Sequence, residues 1–330
     1  MFASYKSTGL AAIAMAILFF AGGEAYAQSN ANVVAPPPIS GRSPDVENSI
    51  KASDVLARLL LVHENFEVIR LYMGRPAPTK PLFRAEGVSN VEMFFLGTTL
   101  KEQALRLRFE LMRTEEHSHA HPPDTPTLNE LFLVLDETLV IAMQIQKHLD
   151  VKSNVSERVQ PESVTITDVA NQVFRTGTLL RQMLNSTNSG SDAFLAVTMG
   201  VNQLMALHRK YTKKLMPDEP LFVPNKTPDD VFSVLMESYK KIHNLWKPKG
   251  QVGMFKLIRQ SDRSVGLDDV SELATLLAAQ VRRLLMLLKV KRQLDHKGFF
   301  GRKFPSHIHQ RAALMNAIVG ELPPTLTANP

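Results

Sequence analysis

The chain has 330 residues, no cysteine, and 38 Lys plus Arg against 32 Asp plus Glu, a formal charge of +6. The missing thiols exclude disulfides, cysteine metal ligands, thiol nucleophiles, covalent haem attachment and a lipidated N-terminal cysteine. A chain of this length can bury enough apolar surface to fold without such staples, as one large helical domain or two smaller ones.

Residues 1–27 have the pattern of an export signal. Lys6 supplies the positive start, Leu10 to Ala21 the apolar stretch, and Ala25-Tyr26-Ala27 a small-x-small cleavage site before Gln28. The apolar run is about a dozen residues, short of the roughly 20 that a spanning helix needs. A cleaved, soluble protein of the bacterial periplasm is therefore expected, with release from the cell as the alternative. Residues 28–50, with Pro36, Pro37, Pro38 and Pro44 among Ser, Asn and Gly, are expected to form an extended leader.

From Lys51 to about Asn316 the apolar residues recur at spacings of 3 and 4, and no segment alternates convincingly at period 2. The fold class expected is all-α, with about seven long capped helices in an irregular helical repeat or multi-helix bundle and a short C-terminal helix. Six helix starts share one pattern, a polar residue, then Asp, Asn or Glu, then an aliphatic one: Ser53-Asp54-Val55, Ser89-Asn90-Val91, Asn129-Glu130-Leu131, Thr167-Asp168-Val169, Asp229-Asp230-Val231 and Asp268-Asp269-Val270. Their middle residues lie 36, 40, 38, 62 and 39 apart, and a weaker copy at Ser191-Asp192-Ala193 splits 62 into 24 and 38. A repeat with a period near 38 and one long helix per unit is expected. Thr127 with Glu130, Thr165 with Asp168, and Thr227 with Asp230 have capping-box spacing, and Pro228 suits a first helical position.

Two helices are expected to be amphipathic. One carries Val231, Leu235, Tyr239, Ile242 and Trp246 on one stripe, and the other Val270, Leu273, Leu277, Val281, Leu284 and Leu288. The segments from Asp54 to Met73 and from Leu128 to Leu149 are apolar over a wider arc, which predicts that they occupy the middle of the bundle. Pro-rich connectors, Arg75 to Gly87, Ser118 to Pro126, Pro217 to Lys226 and Lys247 to Gly266, are long enough to run back along a helix, so successive helices need not be neighbours. The short Ser186 to Ser191 turn predicts a tight helical hairpin. The domain division expected is a signal (1–27), a leader (28–50), a helical-repeat domain (51–292) and a basic, aromatic C-terminal segment (293–330).

Four groups of residues could carry chemistry. His117, His119 and His121 project to one side of an extended backbone, where three neutral imidazoles suit zinc or copper; a solvated connector is the competing reading. His63-Glu64-x-x-Glu67 has Glu where a zincin helix has His, so an ion pair of His63 with Glu67 is the expectation. Glu64, Glu67 and Asp136 are carboxylates on helices that could converge on a pocket. No nucleotide loop or nucleophile elbow is present.

The fourth group is the C-terminal segment. From Arg282 to Arg311 nine cations face one acid, Asp295, a local charge of +8; Lys6 and Glu24 cancel, so the remaining mature chain is near −2 (8 − 2 = +6). Lys297, Phe299, Phe300, Arg302, Lys303 and Arg311 interleave cations with rings, a composition that suits an anionic membrane surface or an acidic partner. The alternative is that the rings cap the core while the cations solvate the last long helix. Nucleic acid is disfavoured by the export signal. Together these features predict a non-catalytic, exported helical scaffold or adaptor that binds other envelope proteins, with a periplasmic metal-binding protein as the alternative.

Overall fold

The computed structural model describes residues 50–114, 126–184, 189–246, 255–290, 302–324 and 326. Among them run eight helices: α1 (Ala52–Tyr72), α2 (Asn90–Met112), α3 (Leu128–His148), α4 (Ile166–Met183), α5 (Ser189–Tyr211), α6 (Pro228–Trp246), α7 (Leu267–Leu287) and α8 (Pro305–Glu321). Two four-residue strands, β1 (Phe83–Glu86) and β2 (Lys256–Arg259), pair antiparallel with Phe83 opposite Arg259. The fold is all-α as expected, and the strands are the exception to an expectation of no period-2 structure. They lie in two of the long connectors, one before α2 and one before α7, and so join parts of the chain that are distant in sequence.

The helices begin where the capping residues stand. The main-chain N–H of Thr127 donates to Glu130 at 2.8 Å, that of Thr165 to Asp168 at 2.9 Å and that of Thr227 to Asp230 at 2.8 Å. In return, Thr165 and Thr227 accept from the N–H of Asp168 and Asp230 at 3.3 Å. Lys51, Ser89 and Gly266 donate in the same way to Asp54, Glu92 and Asp269, and Phe304 donates to the Nδ1 of His307. Each carboxylate satisfies a donor that the helix itself cannot satisfy, and it sits at the positive end of the helix dipole.

The residues that close these caps reveal the repeat. In α1 to α4 they are Asp54, Glu92, Glu130 and Asp168, evenly spaced at intervals of 38. The first turn of α5 holds Asp192, and Asp230, Asp269 and His307 follow at intervals of 38, 39 and 38. The second set therefore copies the first at an offset that is constant to within one position, which makes the chain two successive four-helix units.

Packing follows the same rule. In the first unit α1 and α2 each pack against α3 and α4; in the second, α5 and α6 each pack against α7 and α8. The ring order is thus α1, α3, α2, α4 and then α5, α7, α6, α8, with α1 to α2 and α3 to α4 as diagonal crossings. That geometry is why long connectors are needed. Local details agree as well. α3 ends with Asp150 at φ 54° and α7 with Lys289 at φ 49°. After each, a valine N–H (Val151, Val290) donates back five residues, to Gln146 and to Leu285. The two ends are the same left-handed cap, separated in sequence by the offset that relates the helix starts.

Several expectations change. The helix covered on nearly every side is α7, whereas α1 and α3 lie within the first unit and α3 exposes Leu133. The α7 stripe is fully buried as expected, but Ser271, Glu272, Thr275, Gln280 and Arg282 on its other faces are buried too, because α2 of the first unit packs there. Polar residues marked an outer face in the sequence, and the structure uses that face as the seam between units. α4 and α5 do not pack along each other as a hairpin; their short junction is the link between the units. α8 belongs with the second unit, seated on α5 and α6.

Removing one cap should be measurable. Thr165→Ala is expected to destabilise the protein by about 1 kcal/mol in urea denaturation. The hydrogen bond from Thr165 holds the carboxyl of Asp168 below its ordinary range. Its contribution is therefore present above the unfolded carboxylate pKa and is lost as pH falls through the lower folded value. The difference between wild type and Asp168→Asn should accordingly shrink in acid.

Candidate functional site

Among the described residues, the carboxylates expected to converge do not meet. Glu67 pairs with Arg70 at 2.7 Å, Glu64 with Arg158 at 3.6 Å, and Asp136 with the buried Arg58 at 2.7 Å. Each pairs with a different arginine, and none of the three lines the cleft described below. His63 faces α4, its Nδ1 at 3.2 Å from the hydroxyl of Thr176, and burial holds its pKa below the ordinary value. The bonded partner of Glu67 is thus an arginine one turn on, rather than His63.

His117, His119, His121, Lys297, Phe299 and Phe300 lie outside the described residues. The other three members of the basic segment have intramolecular contacts. Arg302 stands 5.2 Å from the ring of Phe304, Lys303 lies 4.9 Å from the ring of Phe194, and Arg311 reaches Glu219 at 3.4 Å. The carbonyl of Lys303 also packs on Gly190, where a Cβ would collide with it. Further back, Arg282 is buried 5.0 Å from the ring of Phe95, and Arg283 lies 3.9 Å from Glu92. Part of the +8 segment is thereby turned inward, toward the seam and the start of α5.

The seam has an ionic centre that the sequence did not single out. Arg181 of α4 bonds to Glu272 of α7 and lies 3.6 Å from Asp268. Arg106 of α2 reaches Asp192 of α5 at 2.9 Å, and Arg263 grips Asp269 with two bonds of 2.7 Å. Gln280 donates to the fully buried Glu92 at 2.5 Å. Burial pushes the Glu272 carboxyl up to about 7 in spite of the opposing pull of Arg181. The signal that could have found this cluster is the regular spacing of the caps, since Asp192, Asp268 and Asp269 all stand in first turns that the second unit turns toward the first.

Two features face outward. A cleft of about 350 Å³ lies where the α1–α2 connector crosses α1 and α4, lined by Leu56, Leu60, Phe83, Arg84, Arg175 and Gln260. The α5–α6 connector has the opposite character. It exposes Leu215, Leu221, Phe222 and Val223, with relative exposures of 92%, 89%, 48% and 45%. Phe222 keeps one ring contact, with His307 at 5.1 Å. The connector is anchored at its middle and near its end: the carbonyl of Pro220 accepts from Gln310 at 2.8 Å, and the N–H of Lys226 donates to Ser306 at 3.1 Å. Leu221, Phe222 and Val223 lie between these two anchors, and with Leu215 they make an exposed apolar stretch. Among the described residues no helix is long and apolar enough to cross a membrane.

No protein family, curated protein or solved structure matches this chain.

The raised pKa of Glu272 makes a prediction with a defined sign. A carboxyl that titrates near 7 when folded and at 4.5 when unfolded favours the folded state when protonated. Stability attributable to it is therefore lost as pH rises from 4.5 through 7, by roughly 3 kcal/mol if the full shift is expressed. Glu272→Gln should flatten the dependence of melting temperature on pH between 5 and 8. A wild type and a variant with parallel pH profiles would show that Glu272 stays ionised in its pair with Arg181.

Proposed function

We propose that this is a non-catalytic, exported helical scaffold or adaptor of the bacterial cell envelope, which acts by binding other proteins. The observation that carries the reading is the anchored α5–α6 connector, which presents Leu215, Leu221, Phe222 and Val223 to solvent from an otherwise well-packed bundle. Aliphatic and aromatic side chains cost free energy in water and repay it when a partner covers them, at roughly 25 cal/mol per Å². The ion pairs of the seam support the same role, since they fix the two units to each other and so fix the place of the connector. Export rests on the signal pattern that ends at Ala27. The basic C-terminal segment would bring the protein to acidic surfaces in the same compartment, through those of its cations that remain outward.

The test is photocrosslinking in living cells. With benzoylphenylalanine at Leu215 or at Leu221, the expected product is an adduct with another envelope protein; the same probe at the exposed Lys240 on α6 serves as the comparison. If both connector positions yield the uncrosslinked chain only, the adaptor reading is wrong.

A further inference from the structure

The exposed connector contains a second copy of a hexapeptide. Pro78-Thr79-Lys80-Pro81-Leu82-Phe83 in the first unit and Pro217-Asp218-Glu219-Pro220-Leu221-Phe222 in the second share Pro-x-x-Pro-Leu-Phe. Their separation is that of the caps, so the two segments occupy equivalent places in the two units. Their fates differ. In the first unit the motif runs into β1 and pairs with β2, and Leu82 and Phe83 are 1% and 3% exposed. In the second unit Leu221 and Phe222 stand open, and among the described residues the main chain of Leu221 to Val223 has no hydrogen bond.

The paired copy shows which groups the open copy can offer. Gln260 donates its N–H to the carbonyl of Leu82, so Leu82 and Arg84 are the positions whose main-chain groups face β2, while Phe83 and Ala85 face away. Their equivalents at the same offset are Leu221 and Val223, which keep their N–H groups, and Phe222 and Pro224, positions from which the edge takes no donor; Pro224 has no N–H to give. Pro220 and Pro224 therefore fall only where the edge needs no donor. Prolines at these positions are compatible with strand pairing.

The paired copy also indicates the occupant. β2 reads Lys256-Leu257-Ile258-Arg259, aliphatic between two cations, and continuing its register sets Asp262 opposite Lys80, with the guanidinium of Arg263 bonded to the Lys80 carbonyl at 3.4 Å. In the second unit Thr79 and Lys80 are replaced by Asp218 and Glu219, so the sign is reversed. Asp218 is exposed, and Glu219 remains about half exposed beside Arg311. A strand placed there would meet acids where β2 meets a lysine.

We propose that Leu221 to Val223 form an open strand edge that binds an extended segment of a partner protein by antiparallel strand addition, the segment being aliphatic in its centre and basic beyond its C-terminal end. Main-chain bonds to Leu221 and Val223 give affinity, the exposed Leu221 and Phe222 give apolar contact, and Asp218 with Glu219 selects cations. This rests on the adaptor reading above and names the chemistry of its partner.

The test uses the full chain and a fluorescent nonapeptide with the sequence Phe255 to Arg263 in which Asp262→Lys supplies the cation. Saturable binding is expected in fluorescence anisotropy, at least fivefold tighter than that of the unsubstituted peptide. Val223→Pro, which removes a facing donor from an exposed segment, should weaken binding at least tenfold without changing helical content, and Pro224→Ala should leave it within twofold. N-methylation of the peptide at alternate residues gives a readout independent of folding: one phase should abolish binding and the other should not.

Equal binding by wild type and Val223→Pro would overturn the proposal. So would photocrosslinks from the peptide to Phe83–Glu86, which would mean displacement of β2, or a concentration-dependent dimer of the chain that Val223→Pro dissolves, which would make a second copy the occupant. The two readings fail separately. A cellular adduct that persists in Val223→Pro leaves the adaptor and removes the edge; peptide binding with no cellular adduct leaves the edge and removes the adaptor.

Discussion

A helix covered on nearly every side has to find partners for the polar groups it buries, because an unpaired charge or amide away from water costs several kcal/mol. In this protein α7 is that helix, and its Glu272, Gln280 and Arg282 meet Arg181, Glu92 and Phe95 of the first unit. The rest of the architecture depends on that seam. It decides which face of each bundle is inside and joins the start of α5 to α2 through Asp192 and Arg106. The connector that carries β2 is joined across it to β1 of the first unit. Replacing the ion pairs with apolar residues of similar volume could preserve stability, as buried pairs seldom add net stabilisation. The charges set Glu272 against Arg181 and Asp192 against Arg106 across the seam.

Two copies of one unit, joined at unlike faces, cannot be equivalent. The α2 side of the first unit meets the α7 side of the second; the counterparts of these helices are α6 and α3, which do not pack closely on each other. Such a head-to-tail junction leaves one free end of each kind. The paired and unpaired copies of Pro-x-x-Pro-Leu-Phe follow from this asymmetry. The connector that carries β2 reaches the first motif, while the second motif lies at the end where the described chain provides no further strand.

Much of the fold was legible in the sequence because helix starts are local. A carboxylate three residues after a hydroxyl has the same consequence in any helical protein, and all the expected starts lie within the first turns of helices. The register was blurred for an identifiable reason. Asn90 is the first residue of α2, whereas the group that closes its cap is Glu92, two residues later. Using Asn90 turned two equal intervals into a short one and a long one. The strands were not legible, since four residues of alternation, as in Phe83-Arg84-Ala85-Glu86, fall within the noise of a helical chain. Nor was the seam, because Ser271, Glu272 and Gln280 look like a solvated face until a second unit of complementary charge is packed against them. The pair of Glu67 with Arg70 is local to α1, but the arginines that meet Glu64 and Asp136 are distant in sequence and were decided by packing.

An unpaired strand edge is ordinarily a liability, because it invites pairing with any extended chain. The second Pro-x-x-Pro-Leu-Phe segment carries the devices that limit this hazard. It is short, prolines bound it at Pro220 and Pro224, and Asp218, Glu219 and Lys226 flank it. The prolines leave the two facing positions intact, and the acids repel like-charged strands. A segment selected only against pairing would be expected to lose its exposed Leu221 and Phe222 as well, since neither packs in the core of the second unit. The segment thus holds the limits on pairing and the capacity for it in one place.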